Sequence, residues 1–212
     1  MDLINKKSEN DYWNDFYSKN GAPIGSSDFA KFCLKKIPNN SHIFELGCGN
    51  GRDSLFFYKN GHKITACDLS KITIDNLKKT NTGNFFTGDF TNLVDEMNSE
   101  LIDVVYSRFT FHSIEKENSI KTMGWVFRNI REGGLFFIEV RSIKDDLFGK
   151  GTMVNKNSFV TDHFRRFIDK KELEDEIENV GFEILESFEG KGLAVYKNED
   201  PVVIRIIARK RS

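Results

Sequence analysis

No other stretch limits the possible folds of this chain as much as Glu45-Leu46-Gly47-Cys48-Gly49-Asn50-Gly51. It lies between the apolar run His42-Ile43-Phe44 and Arg52-Asp53-Ser54-Leu55-Phe56-Phe57. A strand stops, a glycine loop turns, and a helix begins. Glycine at 47, 49 and 51 allows positive φ and lets a ligand lie directly against main-chain N–H groups. The helix opening near Arg52 aims its partly positive end at the same place. Such a strand–loop–helix unit is the first turn of a nucleotide-binding α/β domain.

Spacing narrows the ligand. A dinucleotide loop, G-x-G-x-x-G, would place its third glycine at 52, where this chain has Arg52. Glu45 ends the strand; its carboxylate would repel a pyrophosphate but suits a ligand with an amino group or positive charge. S-adenosylmethionine, with a sulfonium, an ammonium and no phosphate, has that character. Downstream, Ile64-Thr65-Ala66-Cys67-Asp68-Leu69-Ser70 reads as a second strand ending in an acid, with Ser70 capping the next helix. Asp68 stands at the distance where such folds place the carboxylate that holds a ribose diol; the plainer reading is a turn residue.

Glu45 to Ser54, followed by Gly61-His62-Lys63 and Ile64 to Ser70, resembles the first two motifs of class I S-adenosylmethionine-dependent methyltransferases. The resemblance covers residues 41–140. The Gly51-Arg52-Asp53-Ser54 wording is similar to small bacterial members of the tellurite-resistance and thiopurine type. Ser107-Arg108-Phe109 and Asp162-His163-Phe164-Arg165-Arg166 more loosely resemble methyltransferases encoded among bacterial surface-polysaccharide genes, which implies a sugar, nucleotide-linked or phosphoramidate-type acceptor. The resemblance implies a Rossmann-like three-layer α/β sandwich with a mostly parallel seven-stranded sheet and an antiparallel C-terminal strand. It also implies S-adenosyl-L-methionine as cofactor and S-adenosyl-L-homocysteine as product.

At 212 residues the chain is expected to form one domain, 1–212, with a full-sized core. A net charge of −1 offers no whole-molecule field for nucleic acid or a membrane surface. No run of about 18 apolar residues occurs, and Met1 to Lys7 lacks the apolar core of a signal peptide, so a cytoplasmic location is expected. Three unpaired-looking cysteines fit a reducing compartment, and four scattered histidines form no metal motif. The expected partner is a small-molecule acceptor, with the protein a monomer or homodimer.

Tyr12, Trp13, Phe16 and Tyr17 recur on one face of a short N-terminal helix, followed by a loop at 21–25. Segment 1–25 reads either as a helix packed on the core or as a lid. Ser26-Ser27-Asp28 caps a helix to about Ile37, and further helices are expected at 52–60, 70–79, 91–99, 115–131 and 170–180. Asn84 to Thr87, Leu101 to Tyr106 and Leu135 to Val140 read as the next strands, and 182–188 and 202–208 as a final pair. Residues 142–168 lack a periodic pattern; with 189–201 they are expected to be acceptor-side loops.

Under the resemblance, the cofactor side comprises Trp13, Glu45, Gly47, Cys48, Gly49 and Gly51. Arg52, Asp68, Leu69, Ser70, Asp89, Phe90 and Ser107 complete it, with Asp89 receiving the adenine amino group and Phe90 packing near the ring. Methyl transfer needs alignment, exclusion of water and removal of a proton from a neutral OH or NH. His112, on the loop after the fourth strand, is placed either for that proton or for a structural hydrogen bond; Arg108 lies beside it. Tyr12, Arg141, His163, Arg165, Arg166 and Tyr196 are expected on the acceptor side, the arginines either as forks for a phosphate or carboxylate or as solvated surface. His163 is the second candidate base. A dinucleotide enzyme and a non-catalytic cofactor-binding protein are the competing readings.

Overall fold

In this computed structural model the described residues are 9–19, 25–94 and 101–211. All but the last residue of the loop expected at 21–25 and most of the helix expected at 91–99 fall outside them; within 91–94 there is only the end of a 3₁₀ turn, Phe90–Asn92.

Seven strands form one sheet: β1 (His42–Leu46), β2 (Lys63–Asp68), β3 (Asn84–Thr87), β4 (Ile102–Arg108), β5 (Ile130–Arg141), β9 (Phe182–Gly190) and β10 (Val203–Lys210). Their order is β3-β2-β1-β4-β5-β10-β9. The first five are parallel, and β10 is antiparallel to both its neighbours. β1 is buried at every residue, because helices cover both faces of a parallel sheet. That is why these strands read as continuous apolar runs. On one face Ile43, Ala66, Val104 and Tyr106 pack against α2 (Asp28–Leu34), α3 (Arg52–Lys59) and α4 (Lys71–Lys78). On the other, Phe44, Val105 and Phe136 meet α5 (Lys116–Asn129) and α6 (Lys170–Val180) through Trp125, Val126, Leu173 and Ile177.

Strand order reverses between β1 and β4, and in open parallel sheets a crevice opens there at the carboxyl ends. The last residues of β1, β2, β4 and β5 converge on that crevice. Local chemistry stops each element on time. Ser27, Ser70 and Asp169 accept N-terminal amides of α2, α4 and α6, and Gly181, at φ 116°, closes α6.

Two expectations are corrected. The helix expected to reach residue 131 ends at Asn129, and β5 begins at once with Ile130, its register slipping against β4 through Gly133-Gly134. The segment 142–168 is not a structureless loop. It holds a second antiparallel sheet of β6 (Thr152–Asn155), β7 (Ser158–Val160) and β8 (Phe164–Arg166), packed through Phe148, Phe159 and Phe167. Strands of three or four residues are too short to show a two-residue period, which is why the sequence hides them.

Candidate active site

The crevice is a cavity of about 520 Å³. The glycine turn forms its floor. Gly47, at φ 68°, sits so close to Thr110 that a Cβ there would run into the Thr110 methyl. The turn is tied to the end of β2: Cys48 donates its N–H to the Cys67 carbonyl at 3.0 Å, and Gly49 donates to Asp68 Oδ2 at 2.8 Å. The other oxygen of Asp68 accepts from Ser70 N–H at 2.8 Å. Burial raises the Asp68 carboxyl above its ordinary range. Glu45, buried at the end of β1 and linked to Ser54, is pushed up to about 8 by burial and then by the neighbouring Asp53. It therefore carries a proton near neutrality that a bound cation would displace.

Helix α1 (Glu9–Lys19) spans the cavity from wall to wall. Asn14 accepts from Ser70 Oγ at 2.8 Å on one side, and Tyr12 donates to Asp162 Oδ2 at 2.8 Å on the other. The Tyr17 hydroxyl lies where a Cβ on Gly49 would be, and burial, then Asp68, raises its pKa well above normal. Tyr17 was visible in the sequence only as part of an aromatic stripe; nothing local placed it against the glycine loop.

On the opposite wall Phe109 has φ 58°, a left-handed conformation that costs a non-glycine residue about 1–2 kcal/mol. Two guanidiniums lie over its ring, with Arg108 Cζ 4.3 Å and Arg141 Cζ 5.7 Å from the centroid. Every arginine of this wall has a carboxylate. Arg108 pairs with the fully buried Glu139 at 2.8 Å, and Glu139 also holds Arg205 at 2.6 Å, so three adjacent strands carry an Arg–Glu–Arg row. Arg141 reaches both oxygens of Asp145 at 3.1 Å and Glu199 at 3.4 Å. Arg165 pairs with Asp162 at 2.7 Å.

His112 is buried, and its Nδ1 accepts the backbone N–H of Arg141 at 3.3 Å. A backbone amide always carries its proton, so the neutral imidazole holds its own on Nε2. Burial, then Arg141, keeps the ring well below its usual pKa. With that lone pair occupied, the neutral His112 offers a donor at Nε2 and no free acceptor, which suits the hydrogen-bonding reading better than the base. His163 borders the same cavity, Nδ1 lying 2.8 Å from the Tyr12 hydroxyl and 3.2 Å from Asp162 Oδ2.

The expected residues divide clearly. Trp13, Glu45, Gly47, Cys48, Arg52, Asp68, Leu69 and Phe90 line the cavity, as do Tyr12, Arg108, His112, Arg141, His163, Arg165 and Tyr196. Gly49 stands behind Tyr17, and Gly51 is backed by Leu77. Ser70, Asp89 and Ser107 are second-row groups. Ser70 caps α4, Asp89 holds Thr91 and Asn92, and the Ser107 hydroxyl bonds Thr110. Arg166 does not belong to the wall. It lies beside Arg165 on β8, strand alternation sends it the other way, and it donates to the carbonyls of Ile114 and Phe111. Among residues not chosen from the sequence as site candidates, Phe109, Thr110 and Glu199 line the cavity. Asp53 latches Ser27 and Tyr106 beneath it.

A family model described as a methyltransferase domain matches residues 25–187. A curated relative, the cypemycin N-terminal methyltransferase of a Streptomyces species, is 26% identical over 100 residues, 46% of this chain. The match spans 40% of that relative's length. Among solved structures, the CcbJ methyltransferase from Streptomyces caelestis superposes with a TM-score of 0.74 at 15% identity, covering 95% of this chain and 98% of that one. The 1,6-didemethyltoxoflavin-N1-methyltransferase of Burkholderia thailandensis, solved with its acceptor and S-adenosylhomocysteine, has a TM-score of 0.68 at 16% identity. That superposition covers 87% of this chain and 77% of the other.

Proposed function

This chain belongs to the methyltransferase domain family, and on that premise we propose that it transfers a methyl group from S-adenosylmethionine to an oxygen or nitrogen of a small acceptor. The observation that carries the reading is the junction of β1 and β2. There the Gly47–Gly51 turn and the buried carboxylate of Asp68 border one cavity with two histidines. The donor set suits the cofactor: Asp68 for the ribose diol, Glu45 for the ammonium, and Phe90 for the adenine ring. When bound, the cofactor supplies the electrophilic methyl group. The protein aligns the acceptor, excludes water and takes a proton.

Charge balance guides the choice of acceptor. Arg108, Arg141 and Arg165 are each matched by a carboxylate, which is our reason to favour an uncharged reacting group over the anion that the arginines suggest in the sequence. The rings of Tyr12, Trp13, Phe109 and Tyr196 suit a ring-shaped acceptor. Sugar and nucleotide-linked acceptors, the class to which the sequence resemblance points, carry neutral hydroxyls on such rings.

Titration calorimetry tests the cofactor directly. S-adenosylhomocysteine is expected to bind and nicotinamide adenine dinucleotide is not. Asp68→Asn is expected to weaken S-adenosylhomocysteine by about tenfold or more, equivalent to about 1.4 kcal/mol. No heat with S-adenosylhomocysteine, or heat with the dinucleotide, overturns the reading.

A further inference from the structure

Two histidines border the cavity, and each has a partner at its Nδ1. His112 receives the Arg141 amide at Nδ1 and so carries its proton on Nε2. At His163 three electronegative atoms converge: Nδ1, the Tyr12 oxygen 2.8 Å away, and Asp162 Oδ2 at 3.2 Å. The Tyr12 hydroxyl donates to that same Oδ2 at 2.8 Å. Were Nδ1 bare, its lone pair would face a carboxylate and a phenol oxygen with no proton between them. A proton on Nδ1 satisfies both contacts. The other nitrogen, Nε2, is then left with a free lone pair, and it has no partner among the described residues.

We propose that His163, fixed in this tautomer by Asp162 and by Tyr12 from α1, is the proton acceptor of the methyl-transfer site, while His112 is a hydrogen-bond donor beside it. This deepens the methyltransferase reading and rests on it. In the step itself, the proton on the acceptor heteroatom passes to Nε2 and its bonding pair stays on the heteroatom. The imidazolium so formed lies against the Asp162 carboxylate and later returns the proton to water. Asp162 is suited to that task. Against its burial, hydrogen bonds from Arg165, Thr161 and Tyr12 hold it well below the carboxylate range, so it stays charged.

The groups facing His163 are Asp162 from the turn before β8, Arg165 on β8, Tyr12 from α1, Arg141 at the end of β5, and His112. Burial and Arg165 push the imidazole down to about 4 against the pull of Asp162. A base this weak stays neutral, and so available, at any higher pH. It serves an acceptor whose acidity climbs steeply as it is alkylated, as a hydroxyl's does. Asp162 and Tyr12 act through His163 and are positioning residues. Tyr12 lies 151 residues away, so the full hydrogen-bond set around Nδ1 closes with α1 seated across the cavity.

Two-bond ¹H–¹⁵N correlation spectra of the full chain, with S-adenosylhomocysteine added, read the tautomers directly. At pH 7 the expected result is His163 protonated on Nδ1 and His112 on Nε2. In Asp162→Ala the Tyr12 hydroxyl is freed to donate to Nδ1, and His163 is expected to change to the Nε2-protonated form. Diethyl pyrocarbonate is expected to modify His163 and spare His112, at a rate that stays flat above about pH 5, as a pKa of about 4 requires. A wild-type His163 protonated on Nε2, or a His163 that resists the reagent, overturns the base assignment and leaves the methyltransferase reading standing. Failure of S-adenosylhomocysteine to bind overturns both.

Discussion

Gly47→Ala tests whether the glycine turn is shaped by the protein's own packing. The added Cβ would meet the Thr110 methyl and lie 3.7 Å from Phe90, on a backbone at φ 68°. A left-handed alanine costs about 1 kcal/mol and an overpacked contact about 1–3, so the variant is expected to lose about 2–4 kcal/mol. For a chain of this size each kcal/mol is worth about 2–4 °C, which puts the loss of melting temperature at about 5–15 °C. Thr110→Ser separates the two contributions. It removes the methyl but keeps the hydroxyl bonded to Ser107, and by itself costs about 1 kcal/mol. In the double variant the clash disappears while the backbone strain remains. Denaturant unfolding of the four proteins should therefore return a favourable coupling of about 1–3 kcal/mol. A Gly47→Ala protein that melts within about one degree of wild type, or a coupling near zero, would falsify the claim that Thr110 sets the turn.

Arg165→Ala and Arg166→Ala are expected to diverge. Losing the two buried carbonyl contacts of Arg166 should cost about 2–4 kcal/mol of stability, while the Arg165 pair, on a half-exposed Asp162, contributes about 0–1. Melting curves that reverse this order refute the opposed facing of the two side chains. Glu45, whose carboxyl is pushed up to about 8 by burial and by Asp53, must ionise to hold an ammonium. S-adenosylhomocysteine affinity should accordingly rise from pH 6 to pH 8 with proton release, and Glu45→Gln should flatten the profile. Calorimetry in buffers of different ionisation enthalpy checks this; affinity that falls over the same range contradicts it.

Much of this architecture is local and so legible in the sequence. Burial on both faces makes β1, β2, β4 and β5 apolar runs, and the glycine turn after β1 and the acid ending β2 mark the sheet's functional edge. Serine, aspartate and glycine caps mark where helices start and stop. Those signals depend on neighbours a few residues apart, and they establish the fold class and the cofactor end of the cavity.

The chemistry of the acceptor end depends on partners far along the chain. Arg108 finds Glu139 and Arg141 finds Glu199, so arginines that look like anion forks in sequence are already balanced. Arg165 and Arg166 are adjacent in sequence, yet one lines the cavity and the other anchors the turn holding Phe111, because β8 is a strand too short to reveal its period. Most of all, the sequence presents His112 and His163 as two similar candidates. Only the fold assigns their protons. A backbone amide from β5 occupies the lone pair of one, and a carboxylate with a tyrosine from α1 claims the proton of the other, because hydrogen bonds between distant elements determine which nitrogen is bare.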